Sequence, residues 1–183
     1  PGLERAEVFV TDLNGVARGK RLPATALEKV GHGKLRMPVS ALGLDVFGAD
    51  VPESGIALER GDPDGALEPV PATLAPMLWA ARPTVQMMAM MGEAGGGRCR
   101  YDPRGVLARV VAEATARGLC ATMAFELEFY LVAADRPVPP AAPAGPDSPA
   151  GRAQIYDLDV MRAFEPMLSG IEAADIALGA PAD

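Results

Sequence analysis

Two acidic residues, Glu126 and Glu128, interrupt the apolar stretch AFELEFYLV, Ala124 to Val132. Read as a strand, the stretch puts residues two apart on one face at about 6.6 Å. Glu126, Glu128 and Tyr130 then share one side, and Phe125, Leu127, Phe129 and Leu131 take the other. Two carboxylates that close in a partly dry site repel each other and lose hydration, so either their proton affinity rises or a cation settles between them. An all-oxygen donor set suits a hard ion such as Mg2+ or Mn2+, which keeps waters that a phosphate can displace. A solvated face, common on antiparallel sheets, explains the same pattern and is the more frequent case. The residue pattern alone leaves both readings open.

Other chemistry-bearing residues carry less. His32, in GHGK, has no second metal-type residue nearby. Asp62 and Asp64 in GDPDG lack the spacing and the distal acid of a calcium loop and read as turn residues. Arg18, Lys20 and Arg21 have the charge to meet phosphate or carboxylate groups, but basic side chains on an exposed edge strand are the commoner arrangement. Trp79 reads as a loop anchor rather than a stacking platform. No glycine-rich phosphate loop and no recognisable nucleophile motif is present.

The elements that must position these residues fall into two groups. AEVFVTDLNGVARGKRLP reads as two paired strands around Asn14-Gly15, a dipeptide suited to a tight hairpin. PATALEKV reads as a short helix, GDPDGALEPVP as a turn into a strand, and TVQMMAMM as an inner strand whose methionines fill a core. After the glycine-rich GEAGGGRC, the segment YDPRGVLARVVAEATARGL is the clearest helix. Asp102 caps it, Pro103 starts it, Gly118 ends it, and Val106, Leu107, Val110, Val111 and Ala114 form its apolar stripe. Six prolines between Pro137 and Pro149 rule out regular structure in the loop at 133–152. VMRAFEPMLSGIEAADIALG returns to a helical pattern, with Pro166 placing a boundary or kink near its start. The expectation is an α+β chain, with residues 1–98 as one small domain and 99–183 as the start of a mixed α/β domain.

The chain's 183 residues are 49% hydrophobic and 22% charged, enough for one core or two small ones. A net charge of -7 argues against a nucleic-acid partner. Without a bilayer-length apolar run or a leader pattern, and with only Cys99 and Cys120, the sequence reads as a cytoplasmic protein that neither spans nor binds a membrane. The opening at Pro1 and the close at GAPAD read as a fragment.

The order of segments resembles a known family. VTDLNGVARGKRLP, MPVSALGLDVFG, GDPDGALEPVPATLAPMLWAARP, YDPRGVLARVV, AFELEFYLV, QIYDLDVM and ADIALGAPAD are similar, in sequence and spacing, to the N-terminal part of the glutamine synthetase superfamily. The closest branch is that of the γ-glutamylputrescine synthetase-like ligases. Ala124-Phe125, where ordinary glutamine synthetases have glycine-proline, favours that branch. Leu78 and GGGRCR depart from its usual pattern.

The resemblance implies a β-grasp domain over 1–98 followed by the first, truncated part of the catalytic domain. It implies two Mg2+ or Mn2+ ions per site in the intact enzyme, with Glu126 on the nucleotide-side ion and Glu128 on the glutamate-side ion. The implied reaction uses ATP to activate the γ-carboxylate of glutamate as γ-glutamyl phosphate, which ammonia or a small amine then displaces. A homo-oligomeric ring is implied, in which the β-grasp domain completes its neighbour's site. Asp45, in GLDVFG, takes the place of the acid that binds the incoming ammonium or amine, although the usual DGSS surroundings are missing. The remaining metal ligands and the nucleotide-binding residues are expected beyond Asp183, so the fragment is expected to be inactive alone. The alternative is a non-catalytic β-grasp interaction module of a decayed family member.

Overall fold

The computed structural model describes residues 2–56, 61–93, 95–129, 131, 156 and 158–180. Strand β1 (Arg5–Thr11) alternates as expected for a half-buried strand, with Ala6, Val8 and Val10 buried and Glu7 and Phe9 half-buried on the other face. It pairs antiparallel with β2 (Ala17–Pro23), from Arg5 opposite Pro23 to Thr11 opposite Ala17. Gly15, at φ 81°, supplies the positive dihedral of the connecting turn, where Asp12 N donates to Val16 O at 3.0 Å.

A 3-10 turn at Ala24–Ala26 runs into α1 (Leu27–Gly31), which buries Val30. Three short strands follow, β3 (Arg36–Pro38), β4 (Asp64–Pro69) and β5 (Ala75–Pro76), and then β6 (Thr84–Met91). The sheet order is β2-β1-β6-β4-β3, with β5 also on β6. β6 runs parallel to β1, while β4 and β5 run antiparallel to β6. A parallel partner needs a crossover connection, and everything between β2 and β6 supplies it. Gly65 on β4 is required by close approach, because a Cβ there would collide with the Gly92 carbonyl oxygen and the Met91 sulfur.

The core lies on the face bearing Val8, Val10, Leu67, Met87 and Met91, closed from below by Val30 and Leu42. Met87 and Met91 are buried as core filling, while Met88 and Met90 are half-buried. Cys99 belongs to this same core. After β6 the chain returns on itself, with Gly92 bridging Arg98 and Cys99 N donating to Met91 O at 2.9 Å.

Helix α2 (Pro103–Ala116) starts and ends where the sequence places it. Asp102 accepts from Arg104 N at 3.0 Å, and Gly118 adopts φ 73° beyond the last turn. Its stripe residues Val106, Leu107, Val110 and Val111 are exposed. Helices α3 (Leu158–Ala163) and α4 (Glu165–Leu178) break at Phe164, and Pro166 lies in the first turn of α4.

One expectation is corrected. Residues 121–129 have no regular secondary structure and are exposed, with Phe125 at 83% and Leu127 at 87%. An isolated strand leaves its backbone donors and acceptors unpaired, and no described strand lies alongside to pair with them. The loop at 133–152, Tyr130 and Val132 lie outside the described residues.

Candidate functional site

Glu126 and Glu128 follow α2 on the exposed segment, and neither makes a hydrogen bond or ion pair with another described residue. Among the described residues, then, nothing competes with a ligand for either carboxylate. Among the described residues no group of three or more His, Cys, Asp or Glu side chains is arranged to hold a metal ion. The donor set suits Mg2+ or Mn2+ in kind, since both groups are hard oxygen donors. Mg2+ demands six-fold coordination, so two acids could supply only part of a shell.

The second candidate, Asp45, lies in an ordered loop. Its Oδ1 accepts from Phe47 N at 2.8 Å and from Ala49 N at 2.9 Å. Its own N–H donates to Ala49 O at 2.9 Å, and Gly48 N donates to Asp45 O at 3.0 Å. One carboxylate oxygen thus closes the loop, while Oδ2 has no partner among the described residues. Val46 and Phe47 project into solvent beside it, Phe47 at 92% exposure.

This loop is tied to the β1–β2 hairpin. Asn14 Nδ2 donates to Leu44 O at 2.6 Å, and Leu13 N donates to Leu42 O at 3.0 Å. The hairpin turn is itself organised by Asp12, which is 1% exposed. Asp12 Oδ1 accepts from Asn14 N at 2.9 Å and Val16 N at 2.8 Å, and Oδ2 accepts from Arg18 Nε at 2.9 Å. Burial alone would push this carboxyl up. The bonds from Val16, Arg18 and Asn14, with the Arg18 charge, outweigh burial and hold it below its ordinary value of 3.8.

Asp12 and its role escape the sequence reading, although an aspartate two residues ahead of Asn-Gly is itself a turn signal. Of the three basic residues in RGKR, on the outer strand β2, Arg18 pairs with Asp12 in the hairpin turn and Arg21 with Glu7 on β1, so two of them have intramolecular partners. His32 faces Glu28 at 3.4 Å on the surface of α1, and Asp62 accepts from Ser40 N at 3.2 Å as a turn residue. Trp79 is 55% exposed.

Asp102 joins the two groups of elements. Its Oδ1 caps α2, while its Oδ2 accepts from Met91 N at 2.8 Å at the end of β6. The sequence shows the cap and not the second bond. The segment carrying Glu126 and Glu128 therefore leaves from a helix whose first turn is fixed to the sheet.

Comparison with known proteins places these features in context. A family model described as the glutamine synthetase catalytic domain matches residues 100–183. The chain is 37% identical over 191 aligned residues to gamma-glutamylputrescine synthetase PuuA of Escherichia coli (strain K12). That alignment takes in 100% of this chain and 39% of the relative, so the chain spans about two-fifths of the relative's length. Among solved structures, the crystal structure of a novel glutamine synthase homologue superposes with a TM-score of 0.55 at 20% identity, covering 64% of this chain and 28% of that one. The likeness extends to the mixed α+β fold. A GmaS/ADP complex matches with a TM-score of 0.45 at 25% identity, over 63% of this chain and 24% of that one. No helix among the described residues is long and apolar enough to cross a membrane.

Proposed function

The chain belongs to the glutamine synthetase superfamily, and from that membership we propose that it is the N-terminal portion of an ATP-dependent glutamate–amine ligase. The observation that carries the reading is the 37% identity to a γ-glutamylputrescine synthetase maintained across the whole chain. Residues 1–98 form a β-grasp domain in this reading, supported by the β1–β2 hairpin, the helix after it, and the parallel pairing of β1 with β6 at the centre of the sheet. Residues from 99 onward begin the catalytic domain.

In the proposed reaction an oxygen of glutamate's γ-carboxylate attacks the terminal phosphorus of ATP, and ADP departs. The amine nitrogen then attacks the acyl carbon of γ-glutamyl phosphate, inorganic phosphate leaves, and the nitrogen loses a proton. Glu126 and Glu128 hold divalent Mg2+ or Mn2+, which when bound supplies charge neutralisation on the phosphate oxygens. The two carboxylates contribute a pair of hard donors two residues apart in sequence, and the capped start of α2 limits where the helix that leads to them begins. Asp45 presents its Oδ2, which has no partner among the described residues, to the ammonium form of the acceptor, lowering the cost of bringing a cation out of water. In a homo-oligomer it does so in a neighbour's site. The ammonium gives up one proton to a base or to water before its nitrogen attacks, and the second leaves after the bond to carbon has formed.

The test is a coupled ADP-release assay on the full-length ligase with glutamate and a panel of primary amines, ammonia included. Amine-dependent turnover is the expected result, and no stimulation by any amine or by ammonia would reject the proposal. Glu126→Gln and Glu128→Gln should each raise the Mn2+ concentration for half-maximal activity by roughly tenfold or more, since even indirect ligand supports are worth about that much. Full velocity at limiting Mn2+ in both variants would remove the metal role.

A further inference from the structure

We propose that Asn14 is a positioning residue for the amine-binding carboxylate, setting where Asp45 points by holding the stem of its loop. The proposal rests on the reading of Asp45 given above, and it adds a residue on a different strand connection, thirty positions away from Leu44 in sequence.

The loop from Asp45 to Ala49 is closed on itself by Asp45 N to Ala49 O, Gly48 N to Asp45 O and the two bonds to Asp45 Oδ1. A segment cross-tied in this way moves as a unit. Its orientation is therefore decided at the stem, residues 42–44. At one end of the stem Leu42 is fully buried, and its carbonyl accepts from Leu13 N at 3.0 Å. At the other end, next to Asp45, the Leu44 carbonyl accepts from Asn14 Nδ2 at 2.6 Å. The amide must present its nitrogen here, because a carbonyl oxygen only accepts. The Asn14 backbone is in turn fixed, since its N–H donates to the buried Asp12 carboxylate at 2.9 Å. The chain of support runs from the core through Asp12 and Asn14 to Leu44 and ends one residue before the carboxylate that meets substrate.

Removing the Asn14 amide frees the stem beside Asp45 to tilt while the loop's own bonds persist. The substrate contact weakens, and the groups that bind ATP and glutamate are untouched. Asn14→Ala deletes the donor. Asn14→Asp keeps the shape of the side chain and sets an oxygen against the Leu44 carbonyl. Asp45→Asn is the partner variant, because it retains Oδ1 as an acceptor for Phe47 and Ala49 while removing the charge.

Steady-state kinetics on the full-length ligase, with the amine varied at saturating ATP and glutamate, test the idea. Asn14→Ala should raise KM for the amine about three- to tenfold, the range set by one hydrogen bond in a partly wet setting. Its kcat, and its KM for ATP and for glutamate, should stay within about twofold of wild type. Asn14→Asp should do the same or more. Asp45→Asn should raise the amine KM by about tenfold or more, as loss of a charge-assisted contact does. Adding Asn14→Ala to Asp45→Asn should then change the amine KM by less than about twofold, because the two act through one contact.

An Asn14→Ala enzyme with unchanged amine KM, beside an Asp45→Asn enzyme that is impaired, overturns the positioning role and leaves the Asp45 reading standing. Fully additive effects, or equal rises in all three KM values, also overturn it, the latter marking a merely structural residue. An Asp45→Asn enzyme with normal amine KM removes the Asp45 reading itself, and the positioning role with it.

Discussion

Replacing Asp12 by alanine isolates the physical claim on which the hairpin, and everything it supports, depends. The carboxylate is buried and accepts three hydrogen bonds, from Asn14 N, Val16 N and Arg18 Nε, all between 2.8 and 2.9 Å. Asn14 and Val16 are exposed, so water replaces part of what their N–H groups lose, at about 0.5–1.5 kcal/mol each. The Arg18 side chain is one-quarter exposed, and its guanidinium recovers some hydration, so its share stays well below the 3–5 kcal/mol of a fully buried broken pair. The sum is about 2–4 kcal/mol. Urea unfolding, followed through the fluorescence of the single tryptophan and through circular dichroism, measures it.

The pH dependence supplies a second, independent check. Asp12's carboxyl is held below 3.8 in the folded chain, so its contribution is complete above 3.8 and disappears as pH falls through the lower folded value. The gap between wild type and Asp12→Ala should therefore narrow as pH drops from 7 to below 3. A difference under about 0.5 kcal/mol at pH 7, or a gap that survives undiminished in acid, refutes the assignment of an ionised, paired carboxylate.

Asp102→Ala removes both the α2 cap and the partner of the buried Met91 N–H, and should destabilise by about 2–4 kcal/mol in the same unfolding assay. Asp102→Asn, which keeps an acceptor, should cost less. Gly65→Ala should destabilise by at least about 1–3 kcal/mol, because the added methyl meets backbone and the buried Met91 side chain; Gly95→Ala, which points into open space, should be nearly silent. Burial pushes the Cys99 thiol up, and the nearby Glu93 and Asp102 charges add to the effect. Cys120 is exposed. Thiol labelling of the native chain should thus consume one cysteine rapidly and the second only on unfolding.

Local signals carried much of the N-terminal architecture. Asn14-Gly15 between two alternating stretches dictates a hairpin, and TVQMMAMM dictates an inner strand, because both depend on backbone preference and the period of burial. The Asp102-Pro103 start and the Gly118 stop of α2, and the break before Pro166, are likewise written in residues whose dihedral limits act within one turn. The AFELEFYLV stretch shows where such reasoning ends. Alternation marks it as strand material, yet a strand exists only with a neighbour to pair with, and none of the described strands lies beside it.

The candidate site divides along the same line. That Glu126 and Glu128 are available as hard donors follows from their types and spacing, because ligand chemistry belongs to the side chain itself. That Asp45 spends one carboxylate oxygen on closing its loop and leaves the other without a partner among the described residues could be learned only from the folded chain. So could the tie from Asn14 to Leu44 and the burial of Asp12 against Arg18. These are contacts set by how the hairpin and the loop after Leu42 are folded against each other. Sequence determined which groups were on offer; packing of one connection against another decided which were already taken, because a hydrogen bond depends on distances that the order of residues does not encode.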